Sequence, residues 1–95
     1  MLTSKQRAYL RSMANTMETI LYVGKEGVTA GTVREAYDAL EARELIKCCV
    51  NQGAPVTARE ALDDLCEKLG AEPIQCIGRR FVMYRESNTN KRIEL

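Results

Sequence analysis

Stretches of helical period and short apolar runs alternate along this 95-residue chain, and the alternation leaves few folds open. Thr3-Ser4-Lys5-Gln6 fits a capping box, and Leu10, Met13, Ala14 and Met17 follow at helical spacing as a buried stripe. Thr19-Ile20-Leu21-Tyr22-Val23 is rich in β-branched and aromatic residues and stops at Gly24, so it reads as a strand. Thr29 can cap a second helix with Val33, Ala36, Tyr37 and Leu40 inward, and residues 45–50 form a second strand. Thr57-Ala58-Arg59-Glu60 is another capping box. It opens a third helix whose stripe is Ala61, Leu62, Leu65, Cys66 and Leu69, with Gly70 as the C-terminal cap. Two last strands, 73–77 and 81–85, are joined by Gly78-Arg79-Arg80, a link short enough only for a hairpin.

The order is therefore α-β-α-β-α-β-β. Two strand–helix–strand crossovers make the first three strands parallel, and the hairpin turns the fourth antiparallel. The expected fold class is α/β, a two-layer sandwich with a four-stranded mixed sheet. Residues 1–86 form one domain, and 87–95 follow as a polar tail expected to fray.

Ninety-five residues suffice for one core and leave no room for a second domain with a cleft between. No apolar run nears the ~18 residues that a membrane span requires. The opening MLTSKQR lacks the apolar core of a secretory signal, so a cytoplasmic protein without membrane contact is expected. Cys48 and Cys49 are adjacent and would face opposite sides of a strand. Cys66 and Cys76 fall in separate elements, no C-x-x-C pair exists, and there is no histidine. Neither a zinc site nor a disulfide framework is indicated. The thiols read as reduced and mostly buried, and no metal or cofactor is expected.

Catalysis is poorly supplied. Ser4, Ser12 and Ser87 stand in cap, helix and tail contexts without a base, and Asp63 and Asp64 point in different directions from one helix. The expectation is a protein that is not an enzyme and has no small-molecule substrate.

Net charge is +1, but it is unevenly spread. Residues 1–25 hold four basic residues and one acid, and residues 73–95 hold five basics and two acids. The middle, 26–72, holds five basics and ten acids. A small fold can bring the two basic ends to one face, so a near-neutral total does not exclude a nucleic-acid surface. Scattered, solvated charge is the alternative layout.

The loop Gly24-Lys25-Glu26-Gly27 lies between a strand and a helix start. It is neither a Walker loop nor a dinucleotide fingerprint, and G-x-x-G alone is a weak pattern. Its setting aims backbone N–H groups and a positive helix end at one place. Glycines admit a sugar–phosphate chain closely, and Lys25 adds charge, as in the G-x-x-G loops of KH-type domains. An ordinary turn needing a left-handed residue is the competing reading. Arg79, Arg80 and Arg85 near the end, with Lys5, Arg7 and Arg11 on the basic outer face of the first helix, could track phosphates. Aromatic platforms look scarce: of one Phe and four Tyr, Phe81, Tyr37 and Tyr84 are expected in the core. That favours recognition of shape and backbone over base stacking.

Four blocks in order, LTSKQRAYLRSMA, VGKEGVT, ALEARELIKCCV and IGRRFVMYRES…NKRIEL, resemble the CRM domain (chloroplast RNA splicing and ribosome maturation). The likeness is to its stand-alone bacterial YhbY-type members and spans nearly the whole chain. It implies an α/β sandwich similar to the C-terminal domain of translation initiation factor three. It also implies an RNA-binding protein associated with precursors of the large ribosomal subunit. Carried over by position, the family's loop falls on Gly24, Lys25, Glu26 and Gly27, where Glu26 departs from the usual G-K-G-G. Its basic residues fall on Lys5, Arg7, Arg11, Arg43, Lys47, Arg79 and Arg85.

The expected action is a backbone clamp at 24–27 with flanking Lys and Arg on phosphates, in a protein acting as a monomer. Contact with about four to six phosphates of single-stranded RNA implies a slope of log affinity against log salt near −3 to −4. Lys25→Glu or Gly27→Asp is expected to weaken RNA binding and leave unfolding nearly unchanged. The rival is a module that docks on a ribosomal protein or assembly factor with little RNA contact, a reading favoured by the acidic faces of the second and third helices and by Glu26.

Overall fold

The computed structural model describes residues 2–95. Each helix begins one residue after a threonine whose hydroxyl accepts from the third backbone N–H of the first turn. Thr3 opens α1 (Ser4–Ala14), Thr29 opens α2 (Ala30–Arg43) and Thr57 opens α3 (Ala58–Leu69). In all three the third residue of the helix returns the bond to the cap's own N–H. Gln6 and Glu60 do so as the sequence suggests, and Thr32 completes a box around Thr29 that no Glu or Gln announces. Gly70 ends α3 at φ 66°, the left-handed cap that only glycine adopts without strain.

The strands are β1 (Thr19–Val23), β2 (Leu45–Val50), β3 (Glu72–Ile77) and β4 (Arg80–Tyr84). They form one sheet in the order β1-β2-β4-β3. β1 pairs parallel with β2, and β4 is antiparallel to both β2 and β3, so the first three strands share a direction as the crossovers require. The last strand lies between the second and the third. Pro73, which cannot donate to a ladder, is accommodated because β3 is an edge strand.

Alternation along the strands sends Val23, Ile46, Cys48, Phe81 and Met83 to one face, where Leu40 of α2 and Leu62 and Leu65 of α3 cover them. Leu45, Val82, Tyr84 and Ile74 turn to the other face and meet Leu10 and Ala14 of α1. The sheet with α2 and α3 makes the expected two layers. α1 stands apart from them and covers part of the second face only.

The tail does not fray. Glu44, the residue that ends α2, is wholly buried and holds φ 67° without being glycine. Its carboxylate accepts from the backbone N–H groups of Ser87 at 2.7 Å, Arg92 at 2.6 Å and Ile93 at 2.8 Å. Its carbonyl accepts from the Arg85 N–H at 2.9 Å. One turn earlier, Glu41 accepts from Arg85, from the Ser87 and Thr89 hydroxyls and from the Asn88 N–H. Ile93 then inserts into the α1 cluster at 7% exposure. A polar tail suggests solvation, but a buried carboxylate needs donors, and the tail's main chain supplies them. Burial pushes both carboxyls up, and the hydrogen bonds outweigh it, holding Glu41 and Glu44 below the usual glutamate range.

Candidate nucleic-acid interface

β1 ends at Val23, and Gly24 to Gly27 make the turn into the capped start of α2. The Gly27 N–H donates to the Gly24 carbonyl at 2.9 Å. The two glycines answer different demands. Gly27 sits at φ 75°, so its backbone favours glycine, and a Cβ there would also crowd Pro55 Cγ at 3.3 Å. Gly24 is outside the left-handed region, and a Cβ there would meet nothing within 4 Å. Nothing inside the fold asks for glycine at 24. Hence Gly27→Asp cannot serve as a stability-neutral change, contrary to the expectation from sequence.

Lys25 and Glu26 are exposed at the turn's tip, and neither takes part in an ion pair among the described residues. Because β1, β2 and β3 are parallel, their C-terminal ends gather on one side. This loop, the segment 51–57 and the hairpin tip at Gly78-Arg79 therefore lie together. The Asn51 N–H donates to the Val23 carbonyl and the Val50 N–H to the Arg79 carbonyl, each at 2.8 Å, which ties the three turns into one rim. Such an end is where open α/β sheets ordinarily receive ligands.

The predicted basic residues divide into separate groups. Lys25 and Arg79 are on this rim. Arg80 and Lys47 project from β4 and β2 on the half of the second face that α1 leaves bare, and together line two adjoining hollows there. Asn15, one turn after Arg11 and so on the same side of α1, borders the first hollow. Lys5 and Arg11 are exposed on α1. Arg43 lies at the opposite end of the sheet, beside Arg92 and Met17. Six residues of strand put roughly 17–20 Å between the two ends.

Arg7 and Arg85 are engaged inside the fold. Arg7 donates to Glu72 at 2.8 Å and to the Pro73 carbonyl, fastening α1 to β3. Arg85 donates to Glu41 at 2.6 Å and to the Leu69 carbonyl at 3.1 Å, and its guanidinium lies 4.7 Å above the Tyr37 ring. Each directs two N–H groups at a carboxylate and a carbonyl, with which a phosphate would have to compete. Sequence marks a charge but not its partner.

One tyrosine departs from the expectation. Phe81 and Tyr84 are buried as expected, whereas Tyr37 is exposed beneath Arg85, and Tyr9 and Tyr22 are exposed as well. Tyr22 was legible: Leu21 and Val23 face the core, so the residue between them faces out. The acidic outer faces are largely self-contained. Arg34–Asp38, Arg59–Asp63 and Asp64–Lys68 are pairs four residues apart on their own helices, which leaves less free negative charge for docking. The four cysteines are unpaired thiols. Burial pushes Cys66 up to about 12 and Cys48 further still, so neither is a ready nucleophile.

Known proteins are similar to this chain over its full length. The family model of the CRS1 / YhbY (CRM) domain matches residues 2–85. A Bacillus subtilis relative named Probable RNA-binding protein YqeI is 41% identical over 95 residues, covering 100% of this chain and 99% of its own. An RNA-binding protein of Haemophilus influenzae is 30% identical over 90 residues, covering 95% of this chain and 91% of its own. The solution structure of SAV1595 from Staphylococcus aureus, a candidate RNA-binding protein, superposes with a TM-score of 0.81 at 43% identity. It covers 100% of this chain and 99% of that one.

Proposed function

Because the chain belongs to the CRS1 / YhbY (CRM) domain family, we propose that it binds RNA, with ribosomal RNA in precursors of the large subunit as the target. Gly24 carries the reading. It is a glycine that neither a left-handed backbone nor packing demands, in a turn whose lysine makes no ion pair among the described residues, at the end of the sheet where open α/β sheets ordinarily receive ligands. Glycine costs conformational entropy on folding, so one without a structural return fits a backbone that something outside approaches closely. The RNA strand would run along the Gly24–Gly27 turn, its phosphates neutralised by Lys25, Arg79 and Arg80 at the rim and by Lys47 and Arg11 beyond. Arg7 and Arg85 hold the fold together at the far end of the sheet. Glu26 at the tip would disfavour a second phosphate there and so limit how the strand may cross.

No reactive group is needed for this role, and the relatives given above carry RNA-binding names. The test is co-sedimentation of the purified protein with large-subunit precursors, with and without ribonuclease, and a salt titration on free ribosomal RNA. Loss of association on ribonuclease treatment and a log–log salt slope near −3 to −4 are expected, the latter from about −0.7 per phosphate released. Association that survives ribonuclease on the stripped particles, or an affinity indifferent to salt, would overturn the reading in favour of a protein partner.

A further inference from the structure

The bare half of the second sheet face has a composition that packing does not explain. One row of directly paired residues crosses all four strands: Tyr22 beside Cys49, Cys49 beside Arg80, and Arg80 beside Ile77. The next row on that face holds Thr19, Lys47, Val82 and Gln75. Among the described residues, Ile77 at 66% and Tyr22 at 56% are the most exposed large hydrophobic side chains, and they stand in the same row. Strand spacing of about 4.8 Å puts Tyr22 roughly 10 Å across the sheet from Arg80. Lys47 is diagonal to both, about 7–8 Å from each. Neither Lys47 nor Arg80 takes part in an ion pair among the described residues, and Glu18 is the one carboxylate lining the two hollows they share.

We infer that this half-face is a stacking platform for unpaired RNA, on which a nucleobase lies against the Tyr22 ring while Lys47 and Arg80 hold the flanking phosphates. The inference rests on the RNA-binding reading above and adds to it what the rim alone cannot supply, a contact to bases. An aromatic ring, two cations without an ion pair among the described residues and an aliphatic side chain stand close together on this half-face, and a single strand presents the complementary set of base faces, phosphates and riboses. A protein partner seated here would have to desolvate both cations near the centre of its footprint, where charge is ordinarily depleted. A duplex keeps its base faces stacked on one another and has none to offer Tyr22. Ile77, at the far edge of the row, would pack on the next base or ribose.

The test uses the full chain with three probes: a ten-nucleotide oligo(A), the same ribose–phosphate chain with all its bases removed, and a ribosomal RNA fragment. Tyr22→Ala is expected to weaken oligo(A) binding roughly 5- to 150-fold, the range for losing one base–aromatic stack. Tyr22→Phe should bind as the unaltered protein does, because the ring and not the hydroxyl does the stacking. The base-free probe should not distinguish Tyr22→Ala from the unaltered protein, and the salt slope should be the same for both. Thermal unfolding of each variant shows that the fold is kept. Tyr22→Ala binding oligo(A) as well as the unaltered protein, or losing the base-free probe equally, overturns the platform. Binding of the ribosomal fragment without oligo(A) overturns it too and leaves the rim reading intact. Failure of the unaltered protein on all three probes overturns both. Retention on ribonuclease-treated particles that Tyr22→Ala abolishes would instead assign the face to a protein.

Discussion

Alanine at the two ends of the Gly24–Gly27 turn separates a glycine kept for the fold from one kept for a ligand. At Gly27 the backbone is at φ 75°, where a Cβ costs roughly 1–2 kcal/mol and would also press on Pro55 Cγ at 3.3 Å. For a domain of this size each kcal/mol moves Tm by about 4–8 °C, so Gly27→Ala should melt roughly 4–16 °C lower. At Gly24 a Cβ meets nothing within 4 Å, and the conformation is open to any residue. There alanine restricts the unfolded chain and should stabilise by about 0.4–1 kcal/mol, a rise of roughly 2–8 °C. RNA affinity should respond the other way. A methyl forced into a close contact costs about 1–3 kcal/mol, or roughly 5- to 150-fold in Kd. Gly24→Ala is thus expected to be more stable and to bind more weakly. Calorimetry and a filter-binding or anisotropy titration on ribosomal RNA at fixed salt measure the two effects. Gly24→Ala that binds as tightly as the unaltered protein would refute the close-approach argument. A Gly27→Ala protein with unchanged Tm would refute the structural one.

Lys25→Glu should weaken RNA binding without lowering Tm by more than about 2 °C, and should shrink the log–log salt slope by about 0.7, one phosphate contact on a single strand. Arg85→Ala should lower Tm, because it strips Glu41 and the Leu69 carbonyl of a donor, while the salt slope stays as it was. Ile93→Ala removes a buried side chain from the α1 cluster and should cost about 2 kcal/mol in denaturant unfolding, with faster amide exchange over 87–93. Acid should loosen the same region. With the Glu44 carboxyl held below its usual 4.5, its contribution is present above that value and is lost as pH falls through the lower folded value. Glu44→Gln should flatten the fall of Tm below about pH 4.5, whereas an unchanged acid limb would show that this carboxylate is not what acid disarms.

Much of the architecture can be read from local pattern. Thr3, Thr29 and Thr57 mark the helix starts, Gly70 marks an end, and helical-period stripes identify the inward faces, because caps and periodicity are short-range properties. The insertion of β4 between β2 and β3 is long-range, and a hairpin link does not say which strand its second arm will meet next. Likewise Glu44 looks like any glutamate in an acidic stretch. Only the chain's return past it makes it the anchor of residues 87–93. For the site, a G-x-x-G loop and a set of basic residues were visible. That Arg7 and Arg85 are paired with carboxylates, while Lys47 and Arg80 make no ion pair among the described residues, depends on packing between distant segments. Tyr22 is the exception, since its outward direction follows from its two neighbours alone.

The place of β4 also bears on when the protein can fold. β2 and β3 touch only through it, so the sheet has no continuous centre until residues 80–84 are available. In a chain emerging from its N-terminus, β2 would have only β1 to pair with, its inner edge unsatisfied, until α3 and β3 had been made. Glu44 waits longer still for Ser87 and Ile93. The nascent chain should therefore stay open and chaperone-accessible almost to residue 93, and then close in one late step.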